Sequence, residues 1–233
     1  IYGEAATLGA ATALTSTGAG AITFGSTLNG AQTLAVNTSG ITTFTGAVGN
    51  STALTSLTTD AGTAGSVAIN GGVVNTTGAQ IYGEAATLGA ATALTSTGSG
   101  AITFGNTLNG AQTLAINTSG ITTFTGAVGN TTALSSLTTD AGTAGSVAIN
   151  GGVVNTIGAQ SYGEAATLGA ATVLTSTGSG AITFGNTLNG AQTLAVNTSG
   201  ITTFTGAVGN TTALTSLTTD AGTAGSVAIN GGV

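Results

Sequence analysis

Hydrophobic and polar residues alternate along this chain in short bursts. AITF, TLAVN, ITTF and SVAIN each place apolar or β-branched residues at every second position, the pattern of short strands with one face buried. Between the bursts stand NG, GN, SG, DAG and GG, the residues that supply tight corners and tolerate positive φ. A helix is disfavoured throughout. Glycine recurs every few residues and costs about 1 kcal/mol in a helix interior, and the many threonines resist helix through their branched Cβ. The predicted elements are therefore strands of about four to six residues joined by turns.

The bursts recur with an 80-residue period. IYGEAATLGAATALTSTG begins at Ile1, returns at Ile81, and comes back at Ser161 as SYGEAATLGAATVLTSTG. The chain divides into repeat 1 (1–80), repeat 2 (81–160) and an incomplete repeat 3 (161–233), expected to form one continuous solenoid. Within a repeat a spacing of 20 links Leu8, Leu28 and Val48, then Leu14, Leu34 and Leu54, and the pair Phe24 and Phe44. These spacings predict an all-β fold, a parallel β-solenoid (β-helix) with about 20 residues per coil and four coils in each 80-residue superrepeat. At about 4.8 Å per coil, some twelve coils would make a rod roughly 55 Å long. The expected core of the first repeat is Leu8, Leu14, Phe24, Leu28, Leu34, Phe44, Val48, Leu54, Val67 and Ile69. In a 20-residue register Glu4 falls in the column of Phe24 and Phe44, which places it at a corner or marks a slip.

Composition narrows the chemistry. Lys, Arg, His and Cys are absent, and the net charge of −6 comes from Glu4, Asp60, Glu84, Asp140, Glu164 and Asp220. Without cations the chain has no electrostatic footing on nucleic acid or anionic membranes, and no apolar run is long enough for a transmembrane helix. A Ser/His/Asp triad cannot be built, and a hydroxyl with no partner base is inert, so the chain is expected not to be an enzyme. A glycosidase-like acid pair would need Glu4 and Asp60 to converge to about 6–9 Å. The simpler expectation is two solvated corner residues. The loop Thr58–Gly65 offers a carboxylate, hydroxyls and carbonyls, making Asp60, Asp140 and Asp220 weak candidates for calcium. The favoured expectation is that no metal or cofactor is needed and that Asp60 caps its own turn. Asn37, Asn50 and Asn75 match the glycosylation acceptor pattern. Rows of outward threonine could order ice-like water, but Thr15, Thr33 and Thr55 form no clean column.

The phrases TTGAQ-x-YG, TLGA-x-T-x-LTSTG, ITFG-x-TLNGAQ-x-L and TFTGAVG resemble the tandem repeats of filamentous-haemagglutinin-like giant bacterial exoproteins, over essentially the whole chain. The resemblance implies right-handed parallel β-helices in secreted adhesins, and an extracellular or cell-surface location. Together these readings lead to an expected structural fibre or stalk segment of a large surface or biofilm-matrix protein. The alternative is an adhesive solenoid that recognises a surface, a glycan or ice. The expected partners are copies of the same chain, end to end or side by side. Tyr2, Tyr82 and Tyr162 are the polar aromatics available to a binding face, one per repeat.

Overall fold

The computed structural model describes all residues except 61–63, 141–143, 221–224 and 232–233. The chain is a parallel β-solenoid, and among the described residues there is no helix. Its strands are short, from Ala6–Thr7 at two residues to Thr33–Thr38 at six, as the bursts of alternation require. All pairings are parallel and join strands of successive coils, so backbone amides bond along the rod rather than within a coil.

Isolated bridges at Val48 and Val128 join the five sheets into three continuous ladders, which are the three faces of the rod, and a bridge at Val208 extends one of them. The first face runs Tyr2, Phe24, Phe44, Ile69 and Leu88, then passes through Leu108 and Val128 to Val154, Leu174 and Val196. The second carries Leu28, Val48, Val74, Leu94 and Ile116. The third carries Thr12, Leu34, Leu57, Gln80, Ile102 and Thr122. The chain visits the faces in strict rotation.

This register differs from the spacing read in the sequence. The step is twenty-two positions at Thr12↔Leu34 and twenty-three at Leu34↔Leu57, although twenty holds at Ile22↔Thr42 and Leu28↔Val48. The extremes are nineteen at Ile149↔Leu168 and twenty-six at Val48↔Val74. A typical coil is thus longer than twenty positions. One repeat falls short of four coils, and the rod holds fewer coils than the twelve expected. From Gln80 to Thr156 the chain lays down ten strands and the Val128 bridge, eleven segments on three faces. Eleven is one segment short of four full turns, so each repeat starts one face back from the last. Tyr2 lies on the first face, Tyr82 on the third and Tyr162 on the second.

The longer coil rearranges two columns. Leu14 pairs with Val36 and Leu34 with Thr12 and Leu57, so Leu14, Leu34 and Leu54 share no column. Tyr2, not Glu4, stands over Phe24 and Phe44. The rings stack as Tyr2–Phe24–Phe44, Tyr82–Phe104–Phe124 and Tyr162–Phe184–Phe204, with centroids 5.0–5.7 Å apart and planes within 18°. Such offset stacking adds to simple area burial.

The core is a single apolar column down the axis. Phe24, Leu28, Leu34, Phe44, Val48, Leu54, Val67 and Ile69 lie in it, while Leu8 and Leu14 are half-buried beside it. Ile22, Val36, Leu57, Val74 and Tyr82 belong to it as well. Parity decides the less obvious members. Phe44 faces inward, so Thr42 does too and is buried, whereas Ile41 faces solvent at 51% exposure.

Corners are tight enough to demand glycine. Gly30 sits at φ +122°, and a Cβ there would lie 2.4 Å from the Leu8 carbonyl oxygen. The Asn29–Gly30 turn read from the sequence is therefore both a left-handed corner and a point of close approach between coils.

Candidate functional site

The polar groups concentrate where one repeat passes into the next. Strand Ser56–Thr59 ends at Asp60; one coil later strand Gln80–Tyr82 lies on it in register, Leu57↔Gln80 and Thr59↔Tyr82. Tyr82 and Gln80 both point inward and are fully buried. The Tyr82 hydroxyl donates to Gln80 Oε1 at 3.0 Å. Gln80 Nε2 donates to the carbonyls of Val74 at 3.1 Å and Thr95 at 3.0 Å. The amide thereby ties two coils of a neighbouring face together, and repeat 2 ends on the same network at Gln160 and Tyr162.

Glu84 follows immediately and is also buried, at 1% exposure; Glu164 repeats this. Thr59 donates its hydroxyl to Glu84 Oε2 at 2.9 Å, and Thr139 does the same for Glu164. The other oxygen, Oε1, has no partner in either residue. Burial pushes both carboxyls above the usual glutamate range, and the nearby charge of Asp60 or Asp140 adds to this. The phenols of Tyr82 and Tyr162 are pushed up as well, by burial first and by the adjacent glutamate second. A solvated corner residue is the expectation for Glu4; its counterparts Glu84 and Glu164 are held under the next coil. The longer register carries them past the aromatic column and into the interior. Glu4, with the same neighbours in sequence, is exposed.

The turn that Asp60 is expected to cap lies outside the described residues; among those described, the aspartate bonds to the preceding coil. Asp60 Oδ2 accepts the amide of Thr38 at 2.6 Å, from the preceding coil. Both oxygens of Asp140 accept the Thr118 amide at 2.9 Å, and Asp220 does so for Thr198. The carboxylate stands in for a missing strand carbonyl at the point where the ladder gives way to the insertion loop. Burial raises the Asp140 carboxyl. The rest of that loop, at 61–63, 141–143 and 221–224, lies outside the described residues.

The acidic pair that forms is therefore Asp60 with Glu84 of the following repeat, not Asp60 with Glu4. Among the described residues no three His, Cys, Asp or Glu side chains gather to hold a metal. Among the described side chains, a hard cation at this junction would find two carboxylates and the Thr59 hydroxyl, against the six to eight oxygens calcium takes. Two shallow depressions border the first coil, lined by Tyr2 with Leu14 and Ile22 or with Glu4 and Ala6; they are the side of an end coil rather than a cleft.

The remaining motifs separate by exposure. Asn37 and Asn75 lie within strands and are half-buried, whereas Asn50 is exposed on the excursion between Val48 and Leu54. Thr15 pairs with Asn37 and Thr33 with Ser56, so neither continues a threonine row. No described helix is long and apolar enough to cross a membrane. The sequence signal that could have located the junction is Gln80, an amide at an inward strand position two residues before Tyr82. No protein-family model, curated protein or solved structure matches this chain.

Proposed function

We propose that this chain is a load-carrying length of β-solenoid, a stalk or fibre segment of a large repetitive surface or matrix protein, with no chemistry of its own. The observation that carries this reading is the rotation by one face from each repeat to the next. A flat recognition surface needs like residues stacked in one outward row, coil upon coil. Here an outward row reads Ala35, Thr58, Ile81, Thr103, Thr123, Ala148 and Thr167. Equivalent residues of successive repeats face three different directions. What is constant along the rod is the interior: the ladders, the aromatic stacks and the amide ties. The likeness to filamentous-haemagglutinin-like repeats supports an extracellular location and partners that are copies of the same chain.

The test is to build arrays with increasing numbers of the 80-residue unit and measure them by electron microscopy. Length should grow by about 18 Å per unit, at about 4.8 Å per coil, with no saturable binding to glycans, ice or abiotic surfaces. Tight binding by an array, lost when outward Thr58, Thr103 and Thr123 are changed to Ala, would replace the stalk by an adhesive module.

A further inference from the structure

We propose that the buried glutamate at each repeat junction, Glu84 and Glu164, is a proton-operated latch that seats one coil on the next when neutral and loosens that junction when charged. The geometry is specific. Glu84 is enclosed on the coil above Thr59, with one oxygen bonded to the Thr59 hydroxyl and the other without a hydrogen-bond partner, and the nearby Gly83 and Glu84 amides offset only part of the effect of burial. The charged and titratable groups that face it are Asp60, from the coil below, and Tyr82, two residues before it in the chain. Both can only add negative charge, and the chain contains no Lys, Arg or His to offset it. Glu164 faces Asp140 and Tyr162 in the same way.

An ionised carboxylate with an unsatisfied oxygen in such a place carries a larger desolvation cost than the neutral acid does. The sign follows from linkage. Folding raises the pKa, so below the ordinary glutamate value the group is protonated in both folded and unfolded chains and the junction is at full strength. As pH climbs through the raised folded value, the folded chain must give up a proton it holds more tightly than the unfolded chain does, and stability falls. The rod is thus firmest in mild acid and softens towards alkali, at one point in every repeat.

The junction can be read locally. The Gly83 amide bonds to the Thr59 carbonyl at 2.9 Å, and the Gly163 amide to that of Thr139 at 3.0 Å. Hydrogen exchange at these amides, corrected for the intrinsic pH dependence, should accelerate about tenfold or more between roughly pH 4 and pH 9. In the Glu84→Gln/Glu164→Gln double variant, which keeps an acceptor for each threonine, that acceleration should vanish, while Glu4→Gln leaves it intact. Independently of any variant, the wild-type chain should keep the infrared carbonyl band of a buried carboxylic acid at pH values above the ordinary glutamate pKa. Absence of that band, or equal pH slopes in wild type and double variant, overturns the proposal. Calcium that slows exchange at Gly83 near pH 8 in the wild type but not in the double variant also overturns it, in favour of a cation site.

Discussion

Residues 1–18 and 81–98 have identical sequences and different fates. Tyr82 is wholly buried, Leu94 and Leu88 are core, and Glu84 is enclosed; Tyr2 is 44% exposed, Leu14 and Leu8 are only half-buried, and Glu4 is open to solvent. The difference is the neighbour. Residues 81–98 lie on the coil of Leu57–Val74 and under that of Ile102–Ile116, whereas residues 1–18 pair on one side only. Local sequence thus decides which residues point inward, and the adjoining coil decides whether inward means buried. Stability in such a fold is a sum of interfaces between coils.

Paired substitutions turn this contrast into numbers. The largest effect is expected for leucine. Leu94→Ala removes a fully buried side chain and should cost about 2–5 kcal/mol, while Leu14→Ala, half-exposed already, should cost less than about half of that. Chemical denaturation of the two variants checks this, and equal losses would mean that the first coil is packed by something besides its one neighbour. Next comes glycine. A Cβ added at Gly83 would sit 1.6 Å from the Asp60 carbonyl oxygen, with backbone as the obstacle, whereas at Gly3 there is nothing within 4 Å. Gly83→Ala should lower stability by about 1–3 kcal/mol through forced separation of two coils, and Gly3→Ala should leave the melting temperature unchanged. The smallest effect is expected for the phenol. Tyr82→Phe keeps the ring stack but strips Gln80 Oε1 of its donor, a loss of about 1–2 kcal/mol. Tyr162 donates to Gln160 Oε1 in the same way, so Tyr162→Phe should show a loss of the same size in the same assay.

Much of this fold was legible in the residues. The 80-residue period, the short strands and their corners, and the inward Phe24, Phe44, Leu28 and Val48 all follow from alternation and turn chemistry. What the sequence concealed was the coil length. Steps that range from nineteen positions to twenty-six average out only when the strands are paired. Excursions such as that between Val48 and Leu54 look like ordinary turns until a partner fixes the register. That shortfall had consequences for the site. Setting Glu4 in the phenylalanine column hid the role of Tyr2, and it gave no sign that Glu84 and Glu164, unlike the exposed Glu4, are enclosed. Thr42 was concealed for a different reason: hydropathy favours Ile41 for the interior, but a strand has one parity, and the larger Phe44 takes it.

The rotation of the repeat also has a mechanical meaning. A beam whose stiff elements line one side bends easily in one plane and resists in another. In this rod each repeat places its three-ring stack on a new face, so after three repeats the stacks are shared evenly around the axis. A long array of such repeats should therefore bend equally in every direction, with a single persistence length and no intrinsic curvature. It would trace a straight path whatever its rotation about its own axis.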